Sequence, residues 1–101
     1  MINWVNAEED EIQLLNAIKS LLENHPKLLT FLFHPLIPRL NDTPEQLLDS
    51  ALVFSTGECI LVQIAIELWD GRPIVKFADI YSYLDNNTYF KLLKIINTLK
   101  R

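Results

Sequence analysis

One stretch of the chain, residues 55–69, is predicted to form a helix with almost no polar face. Ser55, followed three residues later by Glu58, forms the capping-box pattern that starts a helix, and Gly71 followed by Arg72-Pro73 is typical of a helix end. Between these signals only two polar residues, four positions apart, interrupt the apolar surface. A helix that is apolar nearly all round must be covered on most sides. The sequence therefore predicts a bundle built around this central helix.

The rest of the chain carries further helical patterns, each with a recognisable start or stop signal. Before the central helix we predict a first helix, introduced by Asn6 and Glu9 and ending near Glu23, a short helix from Pro26 to Phe33, and a third helix from Pro44 to about Phe54, capped by Thr43. After it we predict a lone extended segment from Pro73 to Phe77, a helix from about Phe77 to Leu84, and a last helix from near Thr88 to the end. We predict an all-α fold: one domain, residues 1–101, of about five to six helices around residues 55–69.

The helical period also predicts which side chains face the core. On the third helix these are Leu47, Leu48, Ala51 and Leu52, and on the last helix they are Tyr89, Leu92, Leu93, Ile96 and Leu99.

Charge is distributed unevenly along this chain of 101 residues, half of them hydrophobic, with a formal net charge of −4. Residues 1–71 carry eleven acidic and three basic side chains, whereas residues 72–101 carry two acidic and six basic ones. The composition excludes a disordered chain, and the overall charge does not favour non-specific binding to nucleic acid or anionic membranes. The lone Cys59, the lack of a leader and the absence of a long apolar run predict a cytoplasmic protein without a membrane partner.

No group of residues in the sequence has the spacing of a catalytic or metal site. The two glycines are too few for a phosphate-binding loop. His25 and His34 each precede a proline and have no partner at ligand spacing. Cys59 has no base nearby in the sequence to activate its thiol. We therefore predict no catalytic residue, no metal ligand and no cofactor, and we expect a protein that is not an enzyme.

The segment from residue 28 to residue 40 contains more large apolar side chains than a short helix and a loop normally bury. Internal packing is the favoured interpretation, because small cores need every large side chain. The alternative is an exposed patch that binds another protein or a second copy. An exposed patch of this kind predicts a non-catalytic interaction module of the adaptor, inhibitor or antidote type. Its candidate contacts are Leu29, Phe31, Phe33, Leu36 and Ile37.

From residue 55 onward the predicted order is helix, extended segment, helix, turn, helix. The residues that define the last part are Phe77-Ala78-Asp79-Ile80, Leu84, the turn Asp85-Asn86-Asn87, and then Phe90, Leu93 and Ile96. This region resembles the core of a winged helix-turn-helix domain, although its turn lacks the usual glycine and no wing hairpin follows. The resemblance implies, as the alternative function, a DNA-binding regulator whose last helix enters the major groove. Its implied DNA contacts, in a locally basic region, are Asn87, Thr88, Lys91 and Lys94.

Overall fold

The computed structural model describes residues 2–99. A 3-10 turn, Ala51–Val53, links the third and fourth of six α-helices found in this range. The helices are α1 Glu9–Leu21, α2 Pro26–Leu32, α3 Pro44–Ser50, α4 Thr56–Asp70, α5 Phe77–Tyr83 and α6 Asn86–Leu99. The only β-type pairing between residues 2 and 99 is a single antiparallel bridge from Phe33 to Leu40. The predicted all-α fold class is confirmed.

The central helix α4 forms where the sequence predicts it. The Glu58 N–H donates to Ser55 Oγ over 3.2 Å, and the Ser55 N–H donates to Glu58 Oε1 over 3.3 Å. At the other end Gly71 adopts a left-handed conformation with φ of 83°, which a residue without Cβ reaches at little cost. Six side chains of α4 are buried: Ile60, Leu61, Val62, Ile64, Ala65 and Ile66. The helix packs against α1, α2, α3 and α5, as a nearly all-apolar helix requires.

The first and last helices of the described chain, α1 and α6, pack against each other. They join α2 and α4 in one core, because the buried side chains of all four helices form a single cluster. Each fully buried Leu or Ile in such a cluster contributes roughly 1.5–3 kcal/mol relative to an exposed position. α1 thus contacts both the central helix α4 and the last helix α6.

Two helix starts differ from the prediction. α1 is capped at Glu8, whose N–H donates to Glu11 Oε1 over 2.8 Å, whereas Asn6 lies outside the helix with φ of 59°. α6 starts at Asn86 instead of Thr88, because Asp85 Oδ1 accepts the Thr88 N–H at 2.7 Å and acts as the cap. The predicted turn at residues 85–87 is therefore mostly the first turn of α6.

Two predicted inward faces are partly wrong. Leu52 is 74% exposed, because the chain tightens into the 3-10 turn and rotates this side chain away from the core that holds Leu47 and Ala51. On α6 the buried residues are Thr88, Leu92 and Ile95, whereas Leu93 and Ile96 are exposed. The reason is that α6 packs on α1, which turns the helix relative to the predicted face.

Candidate interaction surface

Six large apolar side chains on α5 and α6 remain exposed to solvent, and all of them except Tyr83 lie in two strips. The most exposed is Phe77, at 82%. Residues four apart on α5 and three apart on α6 share a side of their helix, so each set forms a continuous strip. We call the two strips together the α5–α6 face: Phe77, Tyr81, Phe90, Leu93 and Ile96.

A groove of about 200 Å³ separates the two helices of this face. Ile64 and Leu68 of α4 line it together with side chains of α5, α6 and the segment before α5. The lining is apolar apart from Glu67, and the flanking residues are Val75, Phe77, Ile80, Leu92 and Ile96. The groove exists because α5 packs mainly on α4 and α6 packs mainly on α1.

Glu67 fixes one wall of the groove. Its Oε1 atom accepts the N–H groups of Ile74 and Val75 at 2.7 and 2.9 Å. These bonds hold the extended segment before α5 against α4, although that segment has no strand to pair with. The sequence shows Glu67 only as a polar interruption of α4, whereas the structure shows that its carboxylate positions the backbone that leads into α5.

The flank of α6 that faces α5 carries no charged side chain. Among the described residues of α6, Lys91 lies on the opposite flank, towards α1, whereas the exposed Lys94 is four residues from Phe90 and lies beside it. Lys91 Nζ forms an ion pair with Glu23, and Lys94 lines a cavity together with Gln13 and Asn16 of α1. The α5–α6 face is therefore largely apolar, with Lys94 beside Phe90 and Glu67 in the groove as charged neighbours.

The structure places the predicted DNA contacts in different environments. Thr88 is buried, its N–H is bonded to Asp85, and Lys91 is engaged by Glu23. Asn87 and Lys94 are exposed. Two of the four candidates are thus occupied within the fold, and the basic residues 100 and 101 lie outside the described part of the chain. Several residues that define the resemblance to a winged helix-turn-helix core are exposed rather than buried: Phe77, Phe90, Leu93 and Ile96.

The predicted interaction candidates between residues 28 and 40 divide into core and surface. Phe33 is only 1% exposed, so it contacts no partner in the folded chain and leaves the set of candidates. Leu29 and Phe31 are half-buried against the core. Leu36 and Ile37 are exposed. Internal packing, the favoured interpretation of this segment, therefore holds for its first half.

An interlocked aromatic cluster explains the burial of Phe33. Its ring meets those of Trp4 and Trp69 edge to face, with centroids 5.7 and 5.2 Å apart, and the two tryptophan rings are 5.4 Å apart. Trp4 Nε1 also donates to the carbonyl of His34 over 2.8 Å. Asn41 Nδ2 donates to three carbonyls at the end of α2, those of Thr30, Phe31 and Phe33. Sequence periodicity gives no signal for these contacts, because they join segments far apart in the chain.

A polar cluster surrounds Glu58 at the start of α4. Lys27 Nζ lies 3.0 Å from Glu58 Oε2, and His25 Nδ1 lies 3.5 Å from the same oxygen. The hydrogen bond from Lys27, followed by those from Ser55, lowers the pKa of Glu58 from 4.5 to about 2. Within residues 2–99 no three His, Cys, Asp or Glu side chains converge as metal ligands would. Through these contacts the Glu58 carboxylate joins α2 to α4.

No family model, curated protein or solved structure matches this chain. None of the helices in the described range combines the length and apolar character needed to cross a membrane. The function has to be argued from the surface features of the chain itself.

Proposed function

We propose that this protein is a non-catalytic interaction module that binds an uncharged, apolar helix of a partner protein through its α5–α6 face. The observation that carries the proposal is the set of five exposed large apolar side chains, of which Phe77 and Ile96 line a groove between α5 and α6. A partner helix with apolar residues at helical spacing fits this chemistry, because it would place one row of side chains along the groove.

The size of the α5–α6 face supports this proposal. Its three aromatic residues are each more than half exposed, and with Leu93 and Ile96 they present roughly 600 Å² of apolar surface, taking about 200 Å² per large side chain. The largest apolar patch on a typical monomer is about 300–600 Å² and is often functional. A standard protein interface buries about 800 Å² on each partner. The face is therefore large enough for a specific but moderate-affinity contact.

Binding to DNA has less support than binding to protein. A recognition helix gains most of its affinity from cations that neutralise phosphates. On α6, Lys91 is paired with Glu23, and the side chains on the flank towards α5 are apolar. A largely apolar surface suits a protein helix better than a phosphate backbone.

Two further features support a non-catalytic role in the cytoplasm. The Glu58 cluster joins helices and caps α4, so its polar groups already have partners. Cys59 is a free thiol whose Sγ donates to the Ala51 carbonyl over 2.9 Å, which suits a reducing compartment.

Site-specific photocrosslinking tests the proposal. A photoreactive phenylalanine analogue replaces Phe77 in the face, and the same analogue replaces Leu52 as an exposed apolar control elsewhere. After irradiation in lysate of the source organism, we expect one stoichiometric adduct at position 77, with the crosslink on an apolar helix of the captured protein. Leu93→Asp should abolish this adduct. Equal capture at positions 77 and 52 would contradict the proposal.

A further inference from the structure

We propose that His34 is a pH-sensitive latch, which holds the N-terminal segment, residues 2–5, on the bundle only while its imidazole is neutral. The ring Nδ1 atom accepts two backbone hydrogen bonds, from the Leu36 N–H over 3.0 Å and from the Ile37 N–H over 3.1 Å. A ring nitrogen that accepts a hydrogen bond carries no proton, so the imidazole in this conformation is the neutral tautomer with its proton on Nε2. The latch uses none of the residues of the α5–α6 face.

The two bonds to Nδ1 fold the chain into a tight turn directly after α2. Pro35 follows His34 and has a fixed φ, which favours the turn. The His34 N–H donates to the Arg39 carbonyl over 3.0 Å and closes the loop on its other side. The side chains of Leu36 and Ile37 are exposed, so apolar burial adds little to the stability of the turn. The turn therefore depends on the lone pair of the imidazole.

The N-terminal segment is attached to the carbonyl groups of this turn. The N–H groups of Asn3 and Val5 donate to the carbonyls of residues 35 and 36 over 2.6 and 3.0 Å. Trp4 Nε1 donates to the carbonyl of His34 over 2.8 Å. Three consecutive carbonyls thus hold the segment, and they point at it together only while the turn keeps its shape.

The attachment of this segment controls the cover of the aromatic cluster. The ring of Trp4 packs edge to face on Phe33 and on Trp69, with centroids 5.7 and 5.4 Å apart. Trp4 belongs to the N-terminal segment, whereas Phe33 and Trp69 belong to the ends of α2 and α4. Detachment of the segment therefore removes Trp4 from the cluster and exposes the other two rings to water.

Protonation of His34 removes the acceptor on which the turn depends. An imidazolium carries a proton on both nitrogens, so Nδ1 would present a hydrogen to two N–H groups. The latched chain therefore binds no proton at His34, whereas the released chain can bind one. By linkage the latch is complete at high pH and is lost as the pH falls through the range in which imidazoles titrate, about pH 8 to 5. Because one proton is involved, the ratio of latched to released chains should fall by at most about tenfold per pH unit.

The charged groups around the turn leave His34 as its titrating side chain. In the described part of the chain no carboxylate forms an ion pair with His34. The loop itself carries Arg39, which lines a shallow cavity together with Glu11, Asp42 and Asp70. Carboxylates of ordinary pKa stay ionised above about pH 5, and arginine stays protonated throughout this range. The N-terminal segment contributes no ionisable side chain.

Tryptophan emission between about pH 7 and pH 5 tests the latch, because this window lies above the titration of ordinary carboxylates. We expect the wild-type emission to shift to the red and to become more accessible to acrylamide as the pH falls. The change should be reversible and should leave the helix content by circular dichroism unaltered. Nitrogen chemical shifts of the His34 ring should report the Nε2–H tautomer at the upper end of the window.

Two variants of His34 separate its acceptor from its charge. His34→Asn keeps an acceptor in the same place, since Asn Oδ1 and His Nδ1 are both bonded to Cγ, and asparagine accepts N–H groups from following residues in this way. It cannot be protonated in this range, so it should stay latched at the lower pH. His34→Ala has no acceptor and should show the released emission already at the higher pH. His25→Gln changes the other histidine of the chain and should keep the wild-type transition.

Three results would overturn the latch. One is a wild-type emission that is constant over the window. The second is a full transition in His34→Asn, and the third is loss of the transition in His25→Gln, because each assigns the titration to another group. If His34→Ala loses helix content, His34→Asn decides alone, since it retains the acceptor. The crosslink at position 77 is a separate measurement, so the proposed function stands or falls independently of the latch.

Discussion

Two groups of aromatic residues in this protein have opposite environments. Phe33 lies between Trp4 and Trp69 with almost no exposure, whereas Phe77 and Phe90 project into solvent. The first group is assembled from three separate segments: the N-terminal segment, the end of α2 and the end of α4. The second group lies on α5 and α6 alone, and its rings stay exposed because α4 and α1 pack on other sides of these helices. Residue type therefore does not decide burial; the number of segments that converge on a site does.

The two groups can be observed separately in solution. Both tryptophans of the chain pack around the buried Phe33, and all three tyrosines lie on α5 and α6. Tryptophan fluorescence thus reports on the cluster, and the tyrosine signal in near-ultraviolet circular dichroism reports on the α5–α6 region. Each comparison below uses this separation.

The largest expected effect is that of Phe33→Ala. Removing a buried ring from a close-packed cluster should lower the free energy of unfolding by about 3–5 kcal/mol, through lost burial and the cavity left behind. Phe90→Ala should change it by less than about 0.5 kcal/mol, because the ring is exposed. Urea titration followed by circular dichroism measures both. Similar losses for the two variants would show that the contrast between the groups is wrong.

An intermediate effect is expected for Glu67→Ala. The Ile74 and Val75 N–H groups lose a charged acceptor, which should lower the free energy of unfolding by about 1.5–3 kcal/mol. Glu67→Gln keeps an acceptor oxygen and serves as the control with a smaller loss. The tyrosine signal should change, because α5 follows the released segment, while the tryptophan emission of the folded protein stays constant. A change in tryptophan emission alone would mean that Glu67 supports the other region.

The smallest expected effect is the pH dependence that Glu58 contributes at the junction of α2 and α4. Its pKa is lowered to about 2 in the folded chain, from 4.5. A lowered pKa means that the ionised form stabilises the fold above about pH 4.5, and that this contribution disappears as the pH falls towards 2. The urea midpoint of Glu58→Gln should be below that of the wild type at pH 7, and the gap should close by about pH 2. A gap that is constant with pH would show that the charge of Glu58 has no role.

The sequence predicted the parts of the fold that depend on neighbouring residues. Both ends of α4 and the cap of α3 at Thr43 follow from local hydrogen bonds, and these elements formed as expected. The face of α6 did not follow, because its apolar residues extend over more than one side of the helix. Periodicity alone could not choose between Leu93 and Ile95 as the buried residue; packing against α1 makes that choice.

The candidate site was missed for the same reason. The apolar excess of α6 was a usable signal, since a helix with more apolar residues than its core contact can bury must expose some of them. The sequence instead drew attention to the segment around Phe33. The tryptophans that cover Phe33 are Trp4 and Trp69, and no pattern within residues 28–40 predicts contacts with them.

The packing of α1 on α6 has a consequence for synthesis of the protein. A ribosome releases α1 early and α6 late, so the apolar side of α1 emerges before the helix that covers it exists. A bundle whose first helix packs on its last completes its core only after the last helix has been made. Until then the nascent chain exposes an apolar surface that is prone to aggregate. Factors that shield emerging chains therefore have the whole interval between these two helices in which to act.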